Sequence, residues 1–291
     1  MNLTIIANPT AGRGRAYQSL KRYVRQWPHP DWQFELLPTR GPNHAGILAR
    51  ELLAHPPDLL AVCGGDGTMN EIATAVPEPP FPVALLPAGT ANVLARELGL
   101  PLNPARALKI ALNGNARKID LGLLGPGLRR RFLFVAGIGF DAYVVSQVRP
   151  ALKSKLGIVA YAGAILECLQ KYRFPEFRVT AGGRTFTAIS CLVCNSKRYG
   201  GGLLFCPAAD MHDGFLDVLI LNGRSRLALA GFLLLAWLQQ PMKGGWIHRL
   251  RSNSIRIEGA EGVSVQVDGE LAGGLPLDIG LTPAVFPLII P

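Results

Sequence analysis

The stretch CGGDGTMNE at 63–71 constrains this chain more than any other. It follows DLLAV at 58–62, a short apolar run that reads as a buried strand, and leads into IATAV, which continues a helix from about Thr68. Gly64, Gly65 and Gly67 therefore fall at a strand-to-helix turn, where a backbone without Cβ atoms bends sharply and can lay its N–H groups against a phosphate. Asp66 is the one anion there. A carboxylate among phosphate-cradling amides repels a nucleotide unless a divalent cation lies between them, so Asp66 points to a magnesium–nucleotide network. The alternative is a helix cap.

Around this turn, short apolar runs alternate with helical patterns: LTIIA and AYQSLKRYVRQW, QFELL and HAGILARELLA, LLAVC and MNEIATAV, VALLP and ANVLARELG. That βαβα order predicts a doubly wound, Rossmann-like α/β domain over residues 1–117, with a parallel sheet and helices on both faces. Ligands of such sheets bind beyond the carboxyl ends of the strands, where four turns fall, at 8–14, 39–43, 64–68 and 87–92.

From 118 to 282 the pattern becomes a mostly-β domain of closely spaced strand-like segments, RKIDLGLL, RRFLFVAGIGF, EFRVTA, RTFTAISCLVCN, FLDVLIL, SIRIEG and VSVQVDG. Helical insertions at roughly 156–172 and 227–239 interrupt it. The closing AVFPLII is a candidate to rejoin the first domain over 283–291, although its proline argues against a central strand.

Charge bears on partners. The 291 residues carry a formal net charge of +10 with 49% hydrophobic residues; residues 1–120 hold 12 basic and 9 acidic side chains, residues 121–291 hold 18 and 11. A basic, apolar protein fits nucleic acid or an anionic membrane surface, and no aromatic platform or zinc-finger pattern favours nucleic acid. Either the second half faces the membrane or its charge is spread over a solvated surface. The five cysteines show no framework spacing, which fits a reducing compartment; Cys191 and Cys194 fall in a strand-like run that points their sulfurs to opposite faces. MNLTIIANP opens without the features of a signal peptide, which makes a cytoplasmic location the expectation. The longest apolar run, 227–238, falls short of the roughly 18 residues needed to span a bilayer, leaving interfacial contact or burial.

NPTAGRG at 8–14 supplies only GxG before a helix, and the second strand ends in Leu37, Pro38 and Thr39 without the acid that a dinucleotide site requires. Walker and protein-kinase motifs are absent as well. NPTAGRG, GGDGTMNE and PAGTANVLARELGLP, in that order and spacing, resemble the diacylglycerol kinase catalytic-domain family, which includes sphingosine kinases and soluble bacterial lipid kinases. DLG at 120–122, GIGFDA at 137–142, LGIVAY at 156–161, PAADMHDGFLDV at 207–218 and VDGE at 267–270 resemble its later blocks, so the likeness runs through the whole chain.

The resemblance implies a lipid kinase that takes ATP as donor and a lipid hydroxyl as acceptor, in a cleft between a nucleotide domain and a β-sandwich lipid domain. Asn8, Pro9, Gly12, Thr39, Gly64, Gly65, Asp66, Gly67, Thr68, Asn70 and Thr90 would contact the nucleotide. Asp213, with backbone oxygens of Asp210 and Phe215, would hold a structural Mg2+; the alternative is a hairpin turn at Asp213 and Gly214. Glu270 would accept the acceptor's proton, with Asp268 in the metal and hydrogen-bond network or itself the base. Two positions apart on a strand share a face, but Asp268 and Gly269 also suit a hairpin turn that leaves Glu270 in solvent. Where many members carry Asp after the asparagine of the GTxN block this chain has Val93, a departure that bears on the acceptor lipid more than on kinase activity. Diacylglycerol, phosphatidylglycerol and sphingoid-type acceptors stay open. The expected partners are a lipid substrate and an anionic membrane surface held peripherally, with a homodimer open. The competing readings are an NAD kinase, which also uses GGDGT but follows it with a block unlike PAGTAN, and a non-catalytic lipid-binding protein.

Overall fold

The computed structural model describes residues 1–26, 30–125, 130–147, 158–240, 244–259 and 261–291. The chain divides into two units, Met1–Leu121 with Pro283–Pro291, and Gly122–Thr282. In the first, parallel strands β1 (Asn2–Ala7), β2 (Gln33–Pro38), β3 (Leu59–Gly64) and β4 (Val83–Pro87) are ordered β2-β1-β3-β4. The helices are α1 (Arg15–Arg25), α2 (His44–Glu51), α3 (Asp66–Ala75), α4 (Val93–Glu97) and α5 (Pro104–Asn113). β3 and β4 are buried along their whole length, which is why they read as unbroken apolar runs; β2, at the edge, is half exposed. Leu20 and Val24 of α1 and Leu108 of α5 cover Ile5, Ala61 and Cys63 on one face of the sheet, while α2 packs against α3. Helix α5 starts where the chain signals it, with the Asn103 side chain accepting from the N–H groups of Ala105 and Arg106 and Pro104 in the first turn.

The second unit is a β-sandwich. One sheet is antiparallel, in the order β14-β13-β10-β7-β16-β17, from β7 (Val135–Gly139), β10 (Ser190–Cys194), β13 (Leu216–Leu221), β14 (Ile247–Ser252), β16 (Ser264–Val267) and β17 (Glu270–Gly274). The other sheet of this unit sets β15 (Ser254–Gly259) between the first half of β18 (Leu277–Ile290) and the hairpin of β8 (Phe177–Ala181) with β9 (Arg184–Ala188). Ile138, Val193, Val218 and Val265 from the first sheet and Val179, Ile257 and Ile279 from the second close one apolar core. Strand β5 (Asn115–Gly125) leads in and pairs with β6 (Arg130–Phe132); β11 (Arg198–Tyr199) and β12 (Leu203–Leu204) form a small hairpin.

Three features depart from the sequence reading. The expected strand run RRFLFVAGIGF is two strands, β6 and β7, and its last residue opens a helix outside the two expected insertions, α6 (Phe140–Gln147), whose Phe140, Ala142 and Val144 are buried. RTFTAISCLVCN is two strands broken at Ile189, not one. AVFPLII does lie in a strand, β18, which pairs with β4 at Leu288 and Val83 despite Pro287. Phe286, Leu288 and Ile289 are buried there, and that burial outweighs the one donor the proline lacks. The expected insertions are α7 (Ile158–Lys171) and α8 (Arg226–Trp237); Leu156 and Gly157 of LGIVAY lie outside the described residues.

Gly122, the glycine of DLG, faces the fully buried Phe132 across the β5–β6 pair, and any Cβ there would overlap the ring. Gly122→Ala is expected to destabilise the protein by about 3 kcal/mol, the cost of overpacking a filled core. A denaturant titration measures it, and a change within about 0.5 kcal/mol would show that the ring relocates freely.

Candidate active site

The first unit brings its strand-end turns together through the backbone. Asn8 follows β1 and donates its N–H to the Cys63 carbonyl, while Thr39, after β2, donates to the Ala7 carbonyl. Ala88, after β4, donates to the Gly64 carbonyl at 2.8 Å. Gly12 has φ +56°, and a Cβ on it would stand 2.5 Å from the Ala88 carbonyl oxygen; one on Gly65 would stand 3.1 Å from Cα of Gly89. These glycines are thus needed for turn-against-turn contact. Gly67 differs, since a Cβ there would meet nothing within 4 Å among the described residues. The Asn8 side chain accepts from the Thr10 N–H and hydroxyl, Thr68 and Asn70 are buried, and Thr90 is exposed at the tip of the β4 turn.

Asp66 is the first residue of α3, yet it does not cap that helix. Its two oxygens accept the N–H groups of Val93 and Leu94, each at 3.0 Å, at the start of α4. The capping alternative is therefore met at another helix than expected: Asp66 caps α4, which begins 27 residues later. An Asn side chain at 66 would satisfy only one of these donors and set its NH2 against the other, so the amide is not a silent replacement. Asn92, which the sequence reading quoted without giving it a role, accepts from the Gly89 N–H and donates to the Gly89 carbonyl, closing the neighbouring turn with φ +47°. Glu71 accepts from the Ala45 N–H and pins α2 to α3. The Asn70 Oδ1 atom is buried and accepts no hydrogen bond among the described residues. A depression of about 490 Å³ lies against this cluster, lined by Gly12, Arg15, Ala88, Gly89, Asn92 and Asn103. A larger one, about 750 Å³, lies at the opposite ends of β1 and β2 around Thr4, Glu35 and His55, away from all the predicted site residues.

In the second unit VDGE forms a two-residue hairpin turn between β16 and β17, with Asp268 at φ +49° and Gly269 at φ +86°. Asp268 points inward and Glu270 outward. The Asp268 carboxylate accepts the N–H groups of Leu133, Phe134 and Val135 at 2.8, 3.0 and 2.9 Å. Glu270 is exposed, and its one ion-pair partner among the described residues is Arg130. Behind the turn, Gln266 accepts from the Gly269 N–H and donates to the partly buried Asp141 of GIGFDA. Neither Arg130 nor Gln266 stands within a family block, so sequence reasoning could not mark them.

The 210–215 loop is a pair of side chain-closed turns: Asp210 accepts from the His212 N–H and Asp213 from the Phe215 N–H. The second oxygen of Asp213 is paired with Arg251, which also stacks over the Phe215 ring. A magnesium ion at Asp213 would have to displace that guanidinium, and no group of three or more His, Cys, Asp or Glu side chains converges as a metal site among the described residues. Asp66 fits a cation better, because each of its oxygens keeps a lone pair beyond the one N–H bond it accepts.

The family model for the diacylglycerol kinase catalytic domain matches residues 2–124, and that for the YegS C-terminal NAD kinase beta sandwich-like domain matches residues 135–290. The chain is 29% identical over 295 residues to a diacylglycerol kinase of Mycobacterium tuberculosis, covering 99% of this chain and 95% of the relative. It is 31% identical over 265 residues to a protein of Pseudomonas putida named as a YegS-like lipid kinase, covering 89% and 86%. A crystal structure described as a diacylglycerol kinase from Bacillus anthracis matches with a TM-score of 0.82 at 26% identity, over 100% of this chain and 95% of that one. Fold and relatives agree that the chain belongs to the diacylglycerol kinase catalytic-domain family of lipid kinases.

Burial pushes the Asp141 carboxyl up to about 7, against the lowering pull of the Gln266 hydrogen bond. An unfolded carboxyl titrates near 4, so between about pH 4 and 7 the folded state binds the extra proton. Stability is then greatest on the acid side of this window and falls as pH rises through it. The melting temperature is expected to drop between pH 5 and pH 8, and Asp141→Asn, which keeps an acceptor for Gln266, to flatten that drop. Parallel pH profiles of variant and wild type would show that Asp141 is not the group responsible.

Proposed function

We propose that this lipid kinase transfers the γ-phosphoryl group of ATP to a lipid hydroxyl at an anionic membrane surface. The observation that carries the nucleotide half is the close approach of the turns at 8–14, 64–68 and 87–92, with Gly12 against Ala88, Gly65 against Gly89 and the Asp66 carboxylate holding the start of α4. Backbone N–H groups at the start of α3 and the glycines beside them suit phosphate oxygens, with Asn8, Thr39, Thr68, Asn70 and Thr90 as the polar contacts. Magnesium, when bound with the nucleotide, would neutralise phosphate charge, with Asp66 as the residue that would hold it; the separate structural magnesium expected at Asp213 would have to compete with Arg251.

For the acceptor, the two acids of VDGE have different calls on them. Asp268 spends its oxygens on three backbone N–H groups and so fixes the turn, which leaves it poorly placed to take a proton. Glu270 is accessible and is oriented by Arg130. This supports Glu270 as the general base that takes the hydroxyl proton as the lipid oxygen attacks phosphorus, with Arg130 as its positioning residue.

Glu270→Gln is expected to lower the single-turnover rate by about 10²–10⁴ with ATP affinity and melting temperature nearly unchanged. Asp268→Asn, which sets an NH2 group against backbone donors, is expected to lower stability by about 2 kcal/mol. A normal single-turnover rate for Glu270→Gln beside an inactive, fully folded Asp268→Asn protein would move the base to Asp268.

A further inference from the structure

Helix α8 carries no charged residue after Arg226, yet only one of its sides is covered. Leu229, Phe232 and Ala236 are buried, with Phe232 against Phe205, and the helix packs on α7 and β12. Leu227, Leu234 and Leu238 recur at the spacing of the opposite face and are exposed, Leu227 by 85%; Trp237 flanks them at 64%. A helix apolar on every side is ordinarily enclosed, so this outer face lacks a partner. The charge around it says which kind. Residues 218–257 contain six Lys or Arg and no Asp or Glu, and three of the six, Arg224, Arg251 and Arg256, pair with acids outside that stretch. Arg226, at the start of the helix, is exposed and makes no ion pair among the described residues. No helix among the described residues is long and apolar enough to cross a membrane.

We propose that the outer face of α8, led by Leu227, Leu234, Trp237 and Leu238, lies in the interface of an anionic lipid bilayer, with Arg226 on the headgroups. The choice of occupant rests on the lipid-acceptor reading above. A helix this long is about 18 Å by 10 Å, so the face offers on the order of 200 Å². A stable dimer needs about 800 Å² from each partner, and two copies would oppose like charges, so a second chain fits the face less well. Leucines on one side, a tryptophan at one end and arginine at the other match a helix lying in the membrane plane.

The test uses the whole protein and vesicles of phosphatidylglycerol mixed with phosphatidylcholine, or of phosphatidylcholine alone. With brominated acyl chains in the anionic vesicles, tryptophan fluorescence should be quenched, and Trp237→Phe should remove most of that quenching. The double variant Leu227→Asn, Leu234→Asn should lower the vesicle-bound fraction by about tenfold or more at an unchanged melting temperature. Quenching that survives Trp237→Phe, or vesicle binding undiminished in the leucine variant, overturns the proposal. So does a dimer without lipid that the leucine changes dissolve while vesicle binding persists. Should the leucine variant fail to fold, the Trp237→Phe comparison decides alone. Protein that docks through α8 but phosphorylates no lipid refutes the acceptor reading and leaves the docking face standing. Protein that phosphorylates a detergent-dispersed lipid yet does not dock refutes the docking face only.

Discussion

A single carboxylate organises the first unit. Asp66 reaches from the turn after β3 to two backbone N–H groups at the turn after β4, and the Gly65–Gly89 approach and the Ala88–Gly64 hydrogen bond close the same seam. Charge-assisted bonds to two N–H groups are among the stronger contacts a surface turn can make, and here they fix the spacing of two loops that would otherwise move separately. The glycines follow from this closeness, because side chains at 12, 65 or 89 would push the turns apart. A phosphate group would therefore meet an assembled cradle with little ordering left to be done.

The second unit repeats the device with a different turn. Asp268 anchors the β16–β17 hairpin to the N–H groups of Leu133, Phe134 and Val135, and this inward pull turns Glu270 outward to Arg130. Burial pushes the Asp268 carboxyl up to about 7 even though those three bonds pull it down. Asp120 plays a related part in the first unit, where its Oδ1 accepts the Ala284 N–H and holds the returning strand.

Much of the fold was legible because its signals are local. Four βα repeats, each ending in a polar or glycine turn, predict a parallel sheet, and that sheet is present; the alternating strands of 118–282 predict the β-rich sandwich. What escaped was set by distant contacts. That Asp66 caps α4, 27 residues away, or that Asp268 binds amides some 135 residues away, cannot be read from the neighbours of either residue. VDGE left a strand and a turn open because both are consistent with Asp-Gly, and only the pairing of β16 with β17 across it selects the turn. Pro287 misled for the opposite reason: a sound local rule against strands lost to the burial of Phe286 and Leu288.

The proposed reaction is transfer of a phosphoryl group from ATP to a lipid hydroxyl. The measurement that bears on it most directly is transfer of label from γ-labelled ATP to a panel of vesicles holding diacylglycerol, phosphatidylglycerol, ceramide, sphingoid base or monoacylglycerol, with NAD as a soluble competitor. Label is expected in a solvent-extractable lipid product and not in NAD. Label in NAD, or ATP left intact with every lipid by a folded protein, would contradict it.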